Sequence, residues 1–366
     1  MTSSLVTGGS GYFGSLLVRH LVDAGHRVRV LDLHDADDRP RDVEFVAGDI
    51  RDAATVDRAV AGCEVVFNSV AQVPLAKDET LLRTVNADGT ALLLDATERH
   101  RVRKVVHISS SAVFGVPATN PVLPSTIPSP VEAYGHAKLA AEWACLDAAT
   151  RGLDVTIVRP RTILGHGRLG IFGILFDWIA DGADVFVLGS GDNRYQFIHA
   201  DDLADVCVLA AAVAGPAVFN AGTDRFGTMR ESLESLCRHA GTGSQVRSVP
   251  VRPAAIMMKA AAGAHLAPFA PYHWLMYSKS LWFDIEHVRD ALGWQPKWSN
   301  EEMLADSYDW FVGHRAETEG PGRSTHRTTA KQGALRLLKA GTKLLPRQNS
   351  RLTTPAPPAG PNSQTQ

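Results

Sequence analysis

Tyr134 and Lys138 are the two residues whose types and spacing point most directly to chemistry. They lie four residues apart, so they share one face if this segment is helical. A lysine ammonium beside a phenol lowers the phenol pKa from about 10, which makes tyrosine a usable acid or base near neutral pH. Upstream, Ser109, Ser110 and Ser111 follow an apolar run, where a hydroxyl can hydrogen-bond a substrate oxygen. These residues predict proton transfer at a hydroxyl or carbonyl group.

A glycine-rich turn predicts a dinucleotide site. Gly8, Gly11 and Gly14 lie between a short apolar run and a helical pattern, where backbone N–H groups can approach a pyrophosphate closely. Asp32 ends the next strand, where a carboxylate can accept hydrogen bonds from both ribose hydroxyls of NAD and repel the 2′-phosphate of NADP. The sequence therefore predicts NAD. Asp49-Ile50 follows the third strand and either holds the adenine edge or forms a plain turn.

The elements that must position these residues alternate along the chain. Short β-branched runs are separated by stretches with apolar residues at helical spacing, which predicts a parallel sheet covered by helices on both faces. The predicted strands are Ser4–Val6, Arg27–Leu33, Val43–Val46, Glu64–Phe67, Lys104–Ile108, Asp154–Val158 and Ala217–Asn220. The predicted helices are Tyr12–Ala24, Asp52–Val60, Leu81–Arg99, Glu132–Thr150, Phe172–Ala180 and Asp202–Ala212.

We expect an α/β protein: a Rossmann NAD-binding domain with a doubly wound parallel sheet, and a smaller C-terminal substrate domain. The first domain spans 1–164, and 195–222 returns to its sheet. Segments 165–194 and 223–315 form the substrate domain. The apolar segment Ile256–Leu275 either lines an apolar pocket or forms an ordinary packed helix.

Composition and charge restrict the function classes. The chain has 366 residues, of which 45% are hydrophobic and 21% charged, as in soluble globular proteins. Four widely spaced cysteines show no metal-ligand spacing and predict reduced thiols in a cytoplasmic protein, with no metal site. The amino terminus does not resemble a secretory signal, and Pro253–Pro271 falls short of a membrane-spanning helix.

The net charge of −2 hides a strong asymmetry between the tail and the rest of the chain. Gly320–Gln366 contains eight Lys and Arg residues and no acidic residue, so the remaining chain carries −10. An acidic body argues against a nucleic-acid partner. We expect 316–366 to be a largely disordered basic tail with an amphipathic helix over 333–347. The tail is predicted to be dispensable for chemistry and to contact an anionic membrane surface, the alternative being a disordered tail that only solubilises the protein.

The ordered series of motifs resembles the extended short-chain dehydrogenase/reductases, in the NAD-dependent epimerase/dehydratase family, with features of 3β-hydroxysteroid dehydrogenases. The resemblance spans about residues 3–314. It rests on the glycine turn, the serine cluster, the Tyr134/Lys138 pair and further motifs at Asn86–Thr90, Arg159-Pro160, Gly189–Gly191, Phe197–Asp202 and Gly293–Pro296. A homodimer formed through Leu81–Arg99 and Glu132–Thr150 is implied by analogy.

The resemblance assigns roles to individual residues. It implies that Tyr134 is the acid/base, that Lys138 binds the cofactor ribose and tunes the phenol, and that Ser110 binds the substrate hydroxyl, with Ser109 and Ser111 as alternatives. The implied cofactor-binding residues are Gly8, Gly11, Tyr12, Phe13, Gly14, Asp32, Asp49, Ile50, Tyr134, Lys138 and Arg159.

Departures from the family pattern narrow the chemistry. Ser111 and Ala112 stand where dehydratases of the group carry an acidic pair, which argues against elimination of water. The arginine that commonly grips a nucleotide diphosphate is replaced by Tyr195 and Gln196, with Arg194 beside them. Three classes remain: a nucleotide-sugar epimerase, which we prefer at this point; a net dehydrogenase or ketoreductase acting on a steroid-like or other apolar alcohol; and a non-catalytic NAD-binding protein.

Overall fold

The computed structural model describes residues 1–73, 78–264, 266, 271–317, 333 and 335–342. Its strands are β1 (Ser3–Thr7), β2 (Arg27–Asp32), β3 (Glu44–Ala47), β4 (Val65–Asn68), β5 (Lys104–Ile108), β6 (Val155–Pro160), β7 (Thr162–Leu164), β8 (Val185–Leu188), β9 (Phe197–His199), β10 (Ala217–Ala221) and β11 (Val246–Val249). Its α-helices are α1 (Tyr12–Asp23), α2 (Ala53–Val60), α3 (Glu79–Arg83), α4 (Gly89–Arg99), α5 (Ala133–Thr150), α6 (Ile171–Ala180), α7 (Ala200–Ala212), α8 (Met229–Ala240), α9 (Val251–Gly263), α10 (Pro271–Met276), α11 (Glu286–Leu292), α12 (Asn300–Gly313) and α13 (Leu335–Thr342).

Seven parallel strands form the central sheet in the order β10-β6-β5-β4-β1-β2-β3. The chain order reverses between β1 and β4, and in open parallel sheets this is where ligands bind, beyond the carboxyl ends of the strands. The predicted doubly wound α/β sheet is confirmed. Its middle strands are apolar on both faces, since Val65, Val66 and Phe67 are fully buried, as a sheet covered by helices on both sides requires.

The region after β6 contains two smaller parallel sheets, in which β8 pairs with β11 and β7 pairs with β9. Helices α6, α8 and α12 cover a second apolar cluster that includes Phe176, Tyr308 and Phe311. Between these parts, β10 returns to the central sheet beside β6. Strand β9, which also lies within 195–222, pairs with β7 outside the central sheet, and the division into two domains stays a prediction.

The segment predicted as one helix over Leu81–Arg99 is divided. Helix α3 passes into a π-helical turn, Thr84–Asp88, before α4 begins. In this turn the Asn86 side chain accepts a hydrogen bond from the backbone N–H of Gln72 at 2.8 Å and donates one to its carbonyl at 2.9 Å. Such wide turns are rare and accompany a local constraint on the helix, which is here the anchoring of the loop after β4.

The described part of the tail is helix α13, which is shorter than the predicted 333–347. Residues 343–347 and the tail beyond them lie outside the described residues. Lys339 pairs with Asp177 and, at 2.8 Å, with Asp181. Arg315 pairs with the same two carboxylates. In α13, Lys339 is therefore neutralised by carboxylates of α6 and of the residue that follows it, and contact of the tail with a membrane stays a prediction.

All four cysteines are buried free thiols, as predicted. Among the helices of the described residues, none combines the length and the apolar character that crossing a bilayer requires.

Candidate active site

A single cavity of about 1690 Å³ gathers nearly all the predicted site residues. One ligand of drug size typically fills about 300–1,000 Å³, so this cavity has room for a cofactor and a substrate together. The predicted residues that line it are Gly8, Gly11, Tyr12, Phe13, Gly14, Asp32, Asp49, Ile50, Ser110, Tyr134 and Lys138.

The glycine turn forms a bare backbone cradle at the start of α1. Gly11 is the N-cap residue, and no side chain caps this helix, so its first N–H groups can receive an anion. A Cβ on Gly14 would lie 2.0 Å from the carbonyl oxygen of Gly8, and one on Gly8 would lie 2.7 Å from Val70 Cα. The turn therefore keeps its shape only with glycine, which fits the pyrophosphate of a dinucleotide.

Asp32 lies at the end of β2 with both carboxylate oxygens held in place. Oδ2 accepts the Ser10 N–H at 3.0 Å and Oδ1 accepts the Leu33 N–H at 2.7 Å. Burial raises the pKa of this carboxyl group, and the backbone donors oppose that rise. Each oxygen keeps a lone pair for a ribose hydroxyl. Farther along the cavity, Asp49 is ion-paired with Arg51 at 2.5 Å, which lowers its pKa.

We expect Asp32→Ala to shift cofactor choice toward NADP. The substitution removes two hydroxyl acceptors that NAD uses and a charge that repels the 2′-phosphate. NADH should bind about tenfold or more weakly, because hydrogen bonds to a charged group contribute about 1.5–3 kcal/mol, while NADPH binding should improve. Fluorescence titration of both reduced cofactors measures the ratio. An unchanged NADH/NADPH preference would remove Asp32 from the ribose site.

Tyr134 and Lys138 share one face of α5, as predicted, but their electrostatics differ from the expectation. Burial raises the pKa of Tyr134 to about 12, and the nearby Ser110 hydroxyl opposes this rise. Lys138 donates from Nζ to the Ile108 carbonyl at 3.0 Å, and burial lowers its pKa to about 8. Among the nearby charges, Arg168 lowers the pKa of Tyr134 and Glu132 raises it. A positive charge on a bound nicotinamide would lower it further.

The three serines after β5 have different partners. Ser109 donates to Glu142 at 2.5 Å, and Ser111 accepts from Arg161 at 2.8 Å. Ser110 caps the following 3₁₀ turn by accepting the Ala112 N–H at 3.1 Å. Its hydroxyl also hydrogen-bonds the Tyr134 side chain, which lowers the pKa of the phenol. Of the three serines, Ser110 is the one hydrogen-bonded to the Tyr134 side chain, and this proximity favours it over the two alternatives.

Arg159 is the predicted cofactor residue that the structure places elsewhere. Its guanidinium forms a two-point ion pair with Glu142 of α5 at 2.9 and 2.6 Å and donates to the Pro124 carbonyl at 3.1 Å. It is buried and does not line the cavity. The assignment to the cofactor is corrected: because Glu142 supplies a buried carboxylate, Arg159 ties β6 to α5 instead.

Two cavity arginines were missed by sequence reasoning. Arg168 lies over the ring of Tyr12, 5.4 Å from its centroid, and its Nη1 is buried without a hydrogen-bond partner in the described chain. A donor above the glycine turn suits a pyrophosphate oxygen. Its signal was a lone arginine within the Gly165–Gly170 stretch. Arg161 directly follows the Arg159-Pro160 motif, and the site assignment based on that motif went to Arg159.

His166, His199 and Asp306 form the cluster in the described residues that has metal-ligand spacing. The Nδ1 atom of His199 accepts the Asp201 N–H at 3.2 Å, which caps α7. The proton of a neutral ring is therefore on Nε2, where it faces Asp306 at 3.3 Å. A protonated nitrogen cannot ligate a metal, so a hydrogen bond accounts for this contact.

The cavity wall away from the glycine turn is apolar. It is built by α6, β8, α9 and α13, whose lining residues include Phe172, Trp178, Phe186, Met257, Leu335 and Leu338. The segment Ile256–Leu275 thus contributes to the cavity through α9, in agreement with the first of its two interpretations, the lining of an apolar pocket. The tail contributes Leu335 and Leu338, so α13 closes part of the substrate region.

We expect removal of residues 318–366 to impair substrate binding while leaving NAD binding intact. The deletion takes Leu335 and Leu338 from the cavity wall, and burying one such side chain contributes about 1.5–3 kcal/mol. KM for an apolar substrate should rise about tenfold or more. Lys339→Glu breaks the ion pairs to Asp177 and Asp181 and should also raise KM, but by a smaller factor. Equal KM values in steady-state kinetics would return the tail to a role outside the site.

Comparisons with known proteins identify the family of this chain. The family model described as "NAD dependent epimerase/dehydratase family" matches residues 4–222. The uncharacterised protein y4nG of Sinorhizobium fredii is 46% identical over 345 residues, covering 94% of this chain and 87% of that protein. The UDP-glucose 4-epimerase of Mycolicibacterium smegmatis is 29% identical, covering 84% of this chain and 98% of the relative.

Among solved structures, the UDP-glucose 4-epimerase of Thermotoga maritima with UDP-glucose superposes with a TM-score of 0.73. It is 24% identical to this chain, covering 86% of this chain and all of that one, a likeness that supports the fold. The matched family uses NAD, in agreement with the cofactor predicted from the glycine turn and Asp32. From its sheet, its glycine cradle and this match over more than half its length, the chain belongs to the NAD-dependent epimerase/dehydratase family.

Proposed function

We propose that this protein is an NAD-dependent oxidoreductase that interconverts a secondary alcohol and a ketone on an apolar substrate, as a net dehydrogenase or ketoreductase. The observation that carries the proposal is the apolar cavity wall opposite the glycine turn, formed by α6, β8, α9 and α13. Apolar ligand surface that leaves water to pack on such a wall makes a favourable contribution to binding. The wall offers no comparable gain to a hydrated sugar.

The arginine next to the expected diphosphate position supports this choice. Arg194 lies over the rings of Phe226 and Trp282, 4.8 Å from each centroid, and does not line the cavity. Gln196 is fully buried and donates to the Thr223 carbonyl at 2.7 Å. Neither side chain is therefore positioned to hold a diphosphate.

The chain's own residues then divide the chemistry among them. Bound NAD supplies the hydride acceptor. During oxidation the Tyr134 phenolate would take the hydroxyl proton of the carbinol, the C–O bond would become a carbonyl, and the C–H electron pair would leave as the hydride that NAD⁺ would accept when bound. Ser110 hydrogen-bonds the same substrate oxygen and orients it, and Lys138 contributes a cation next to the cofactor ribose. Reduction reverses these transfers, with Tyr134 as the acid.

The proposal includes no elimination of water. Ser111 and Ala112 provide no acid/base pair, and Ser111 is already hydrogen-bonded to Arg161. A 4-keto-6-deoxy product formed from any hexose nucleotide would contradict this.

A nucleotide-sugar epimerase, the class preferred from the sequence, remains the second candidate. It is favoured by the similarity to the M. smegmatis UDP-glucose 4-epimerase over most of both chains. The two candidates differ in their redox balance. An epimerase returns the hydride to its substrate and forms no net NADH, whereas a dehydrogenase releases one NADH for each alcohol oxidised.

Thermal-shift measurements with saturating NAD⁺ separate the candidates. Ligand at 100 times its Kd stabilises a protein by about 2.7 kcal/mol, which is a readily measured change in Tm. We expect shifts with a 3β-hydroxysteroid and with methyl 3-hydroxydodecanoate, together with net NADH formation from at least one of them. A shift confined to UDP-glucose and UDP-galactose, without net NADH, would reject the proposal in favour of the epimerase.

We also propose that the protein is a cytoplasmic homodimer. Helix α5 presents Trp143 and Leu146 to solvent, with 62% and 45% of their surface exposed. Exposed large apolar side chains on one helix suit a second copy of that surface. Light scattering should give twice the chain mass, and Trp143→Glu should halve it. We also propose that the basic tail contacts an anionic membrane, because Gly320–Gln366 carries eight basic and no acidic residues; vesicle pelleting with and without the tail tests this.

A further inference from the structure

Arg161 is a buried guanidinium that the proposed reaction does not yet use. Arg161 is 1% exposed, and its central carbon lies 4.8 Å from the ring centroid of Tyr195 and 5.6 Å from that of Phe283. Its Nη1 donates to Ser111 Oγ at 2.8 Å, which fixes the plane of the group. The residue lines the cavity, directly after β6.

The other edge of this guanidinium has no partner. Nε and Nη2 are both buried and make no hydrogen bond within the described chain. No carboxylate of the described residues forms an ion pair with it, in contrast to Arg159, which Glu142 neutralises. Burying a charge without a partner is costly, so such an arrangement is expected where a ligand brings the opposite charge.

The geometry of the unpartnered edge identifies the ligand's chemistry. The N–H bonds of Nε and Nη2 run side by side and match the two oxygens of a carboxylate. The rings of Tyr195 and Phe283 pack against the guanidinium, and its unpartnered edge, formed by Nε and Nη2, is called the slot below. We propose that the substrate carries a carboxylate, held in this slot by Nε and Nη2 of Arg161.

The position of the slot places this carboxylate close to the reacting carbon. Arg161 donates a hydrogen bond to Ser111. The neighbouring residue, Ser110, hydrogen-bonds the side chain of Tyr134. A nucleotide diphosphate is separated from its reacting carbon by the sugar, so it fits this position less well than a carboxylate on the substrate framework. Resting on the proposed function, the inference narrows the substrate to an apolar hydroxy acid or keto acid.

The test compares 3-hydroxydodecanoate with its methyl ester, which has the same chain and alcohol but no charge. With NAD⁺ present, the acid should give the larger thermal shift and the lower KM in wild type. Arg161→Met retains the length and apolar packing of the side chain and removes the paired N–H donors of Nε and Nη2, called the fork below. It should raise KM for the acid about 10- to 100-fold and leave KM for the ester unchanged. Arg161→Lys, which retains a charge without the fork, should recover only part of the loss.

Arg194→Met controls for the loss of an arginine that packs on two aromatic rings, because Arg194 lies over two rings but is exposed and lies outside the cavity lining. It should leave the acid-over-ester preference intact. Without ligand, Arg161→Met should melt no lower than Arg194→Met, since it removes an unpaired buried charge. A much lower melting temperature for Arg161→Met would assign Arg161 to stability and overturn the inference.

The remaining outcomes separate this inference from the proposed function. Equal binding of acid and ester by wild type overturns the carboxylate slot and leaves the proposed function standing. A loss of UDP-glucose binding in Arg161→Met would assign the fork to a phosphate and overturn the slot. Binding of neither apolar probe, whatever its charge, contradicts the proposed function itself.

Discussion

Tyr134→Phe should reduce alcohol oxidation by about 10²–10⁴-fold, the usual cost of losing general acid/base catalysis. The substitution keeps the ring and deletes only the group that exchanges the proton. NAD⁺ affinity should therefore change little, and the loss should appear in kcat. Steady-state kinetics together with a cofactor titration separate these two effects.

The pH profile sharpens this prediction. Burial raises the pKa of Tyr134 to about 12, so below that pH the phenolate fraction grows as pH rises. Wild-type oxidation should therefore accelerate with pH, and this dependence should disappear in Tyr134→Phe. Bound NAD⁺ should move the rise to lower pH, because its positive charge stabilises the phenolate.

Tyr277→Phe is the matched control for this experiment. Tyr277 also lines the cavity, and burial raises its pKa to about 12. Its hydroxyl donates to the Phe186 carbonyl at 3.4 Å, away from Ser110. The control should stay within a few-fold of wild type. Equal losses in both variants would mean that the cavity needs its hydroxyl groups for structure and not for proton transfer.

Gly14→Ala should abolish tight NAD binding. The new Cβ would lie 2.0 Å from the Gly8 carbonyl oxygen and 2.8 Å from Gly9 Cα, both backbone atoms that cannot turn aside. The cradle must open, which typically costs about 1–3 kcal/mol in overpacked sites. Kd for NADH should rise about tenfold or more, and Tm should fall.

Gly313→Ala controls for the glycine substitution itself. Gly313 ends α12, and a Cβ there would meet nothing within 4 Å. This variant should bind NADH like wild type and melt at the same temperature or higher, because alanine favours helix. A Gly14→Ala protein with normal cofactor affinity would show that the pyrophosphate does not lie on this turn.

The sequence was informative where one local pattern determines one element. The glycine turn, Asp32 and the Tyr134/Lys138 spacing each lie within a strand–turn–helix unit or a single helix. Their positions in the cavity follow from the order of the parallel strands. Periodicity likewise located the strands of the central sheet, apart from one or two residues at their ends.

Properties that depend on packing between distant segments were not accessible from the sequence. Arg159 carries a family motif, but its partner Glu142 is placed by the packing of α5 on β6. The raised pKa of Tyr134 is a consequence of burial, which the Tyr–Lys spacing does not report. Helix α13 is attached to the body through the ion pair of Lys339 with Asp177, which lies more than 150 residues earlier in the chain. From the sequence, the tail could therefore be interpreted only by its charge.

The most direct test of the proposed reaction follows one labelled hydride. Wild-type protein is incubated with NAD⁺ and either a 3β-hydroxysteroid or 3-hydroxydodecanoate deuterated at the carbinol carbon, and the cofactor is analysed by mass spectrometry. The proposed dehydrogenase predicts deuterated NADH in equal amount to the ketone, formed about 10²–10⁴-fold more slowly by Tyr134→Phe. Unlabelled cofactor with both substrates, together with conversion of UDP-glucose to UDP-galactose without net NADH, would contradict it.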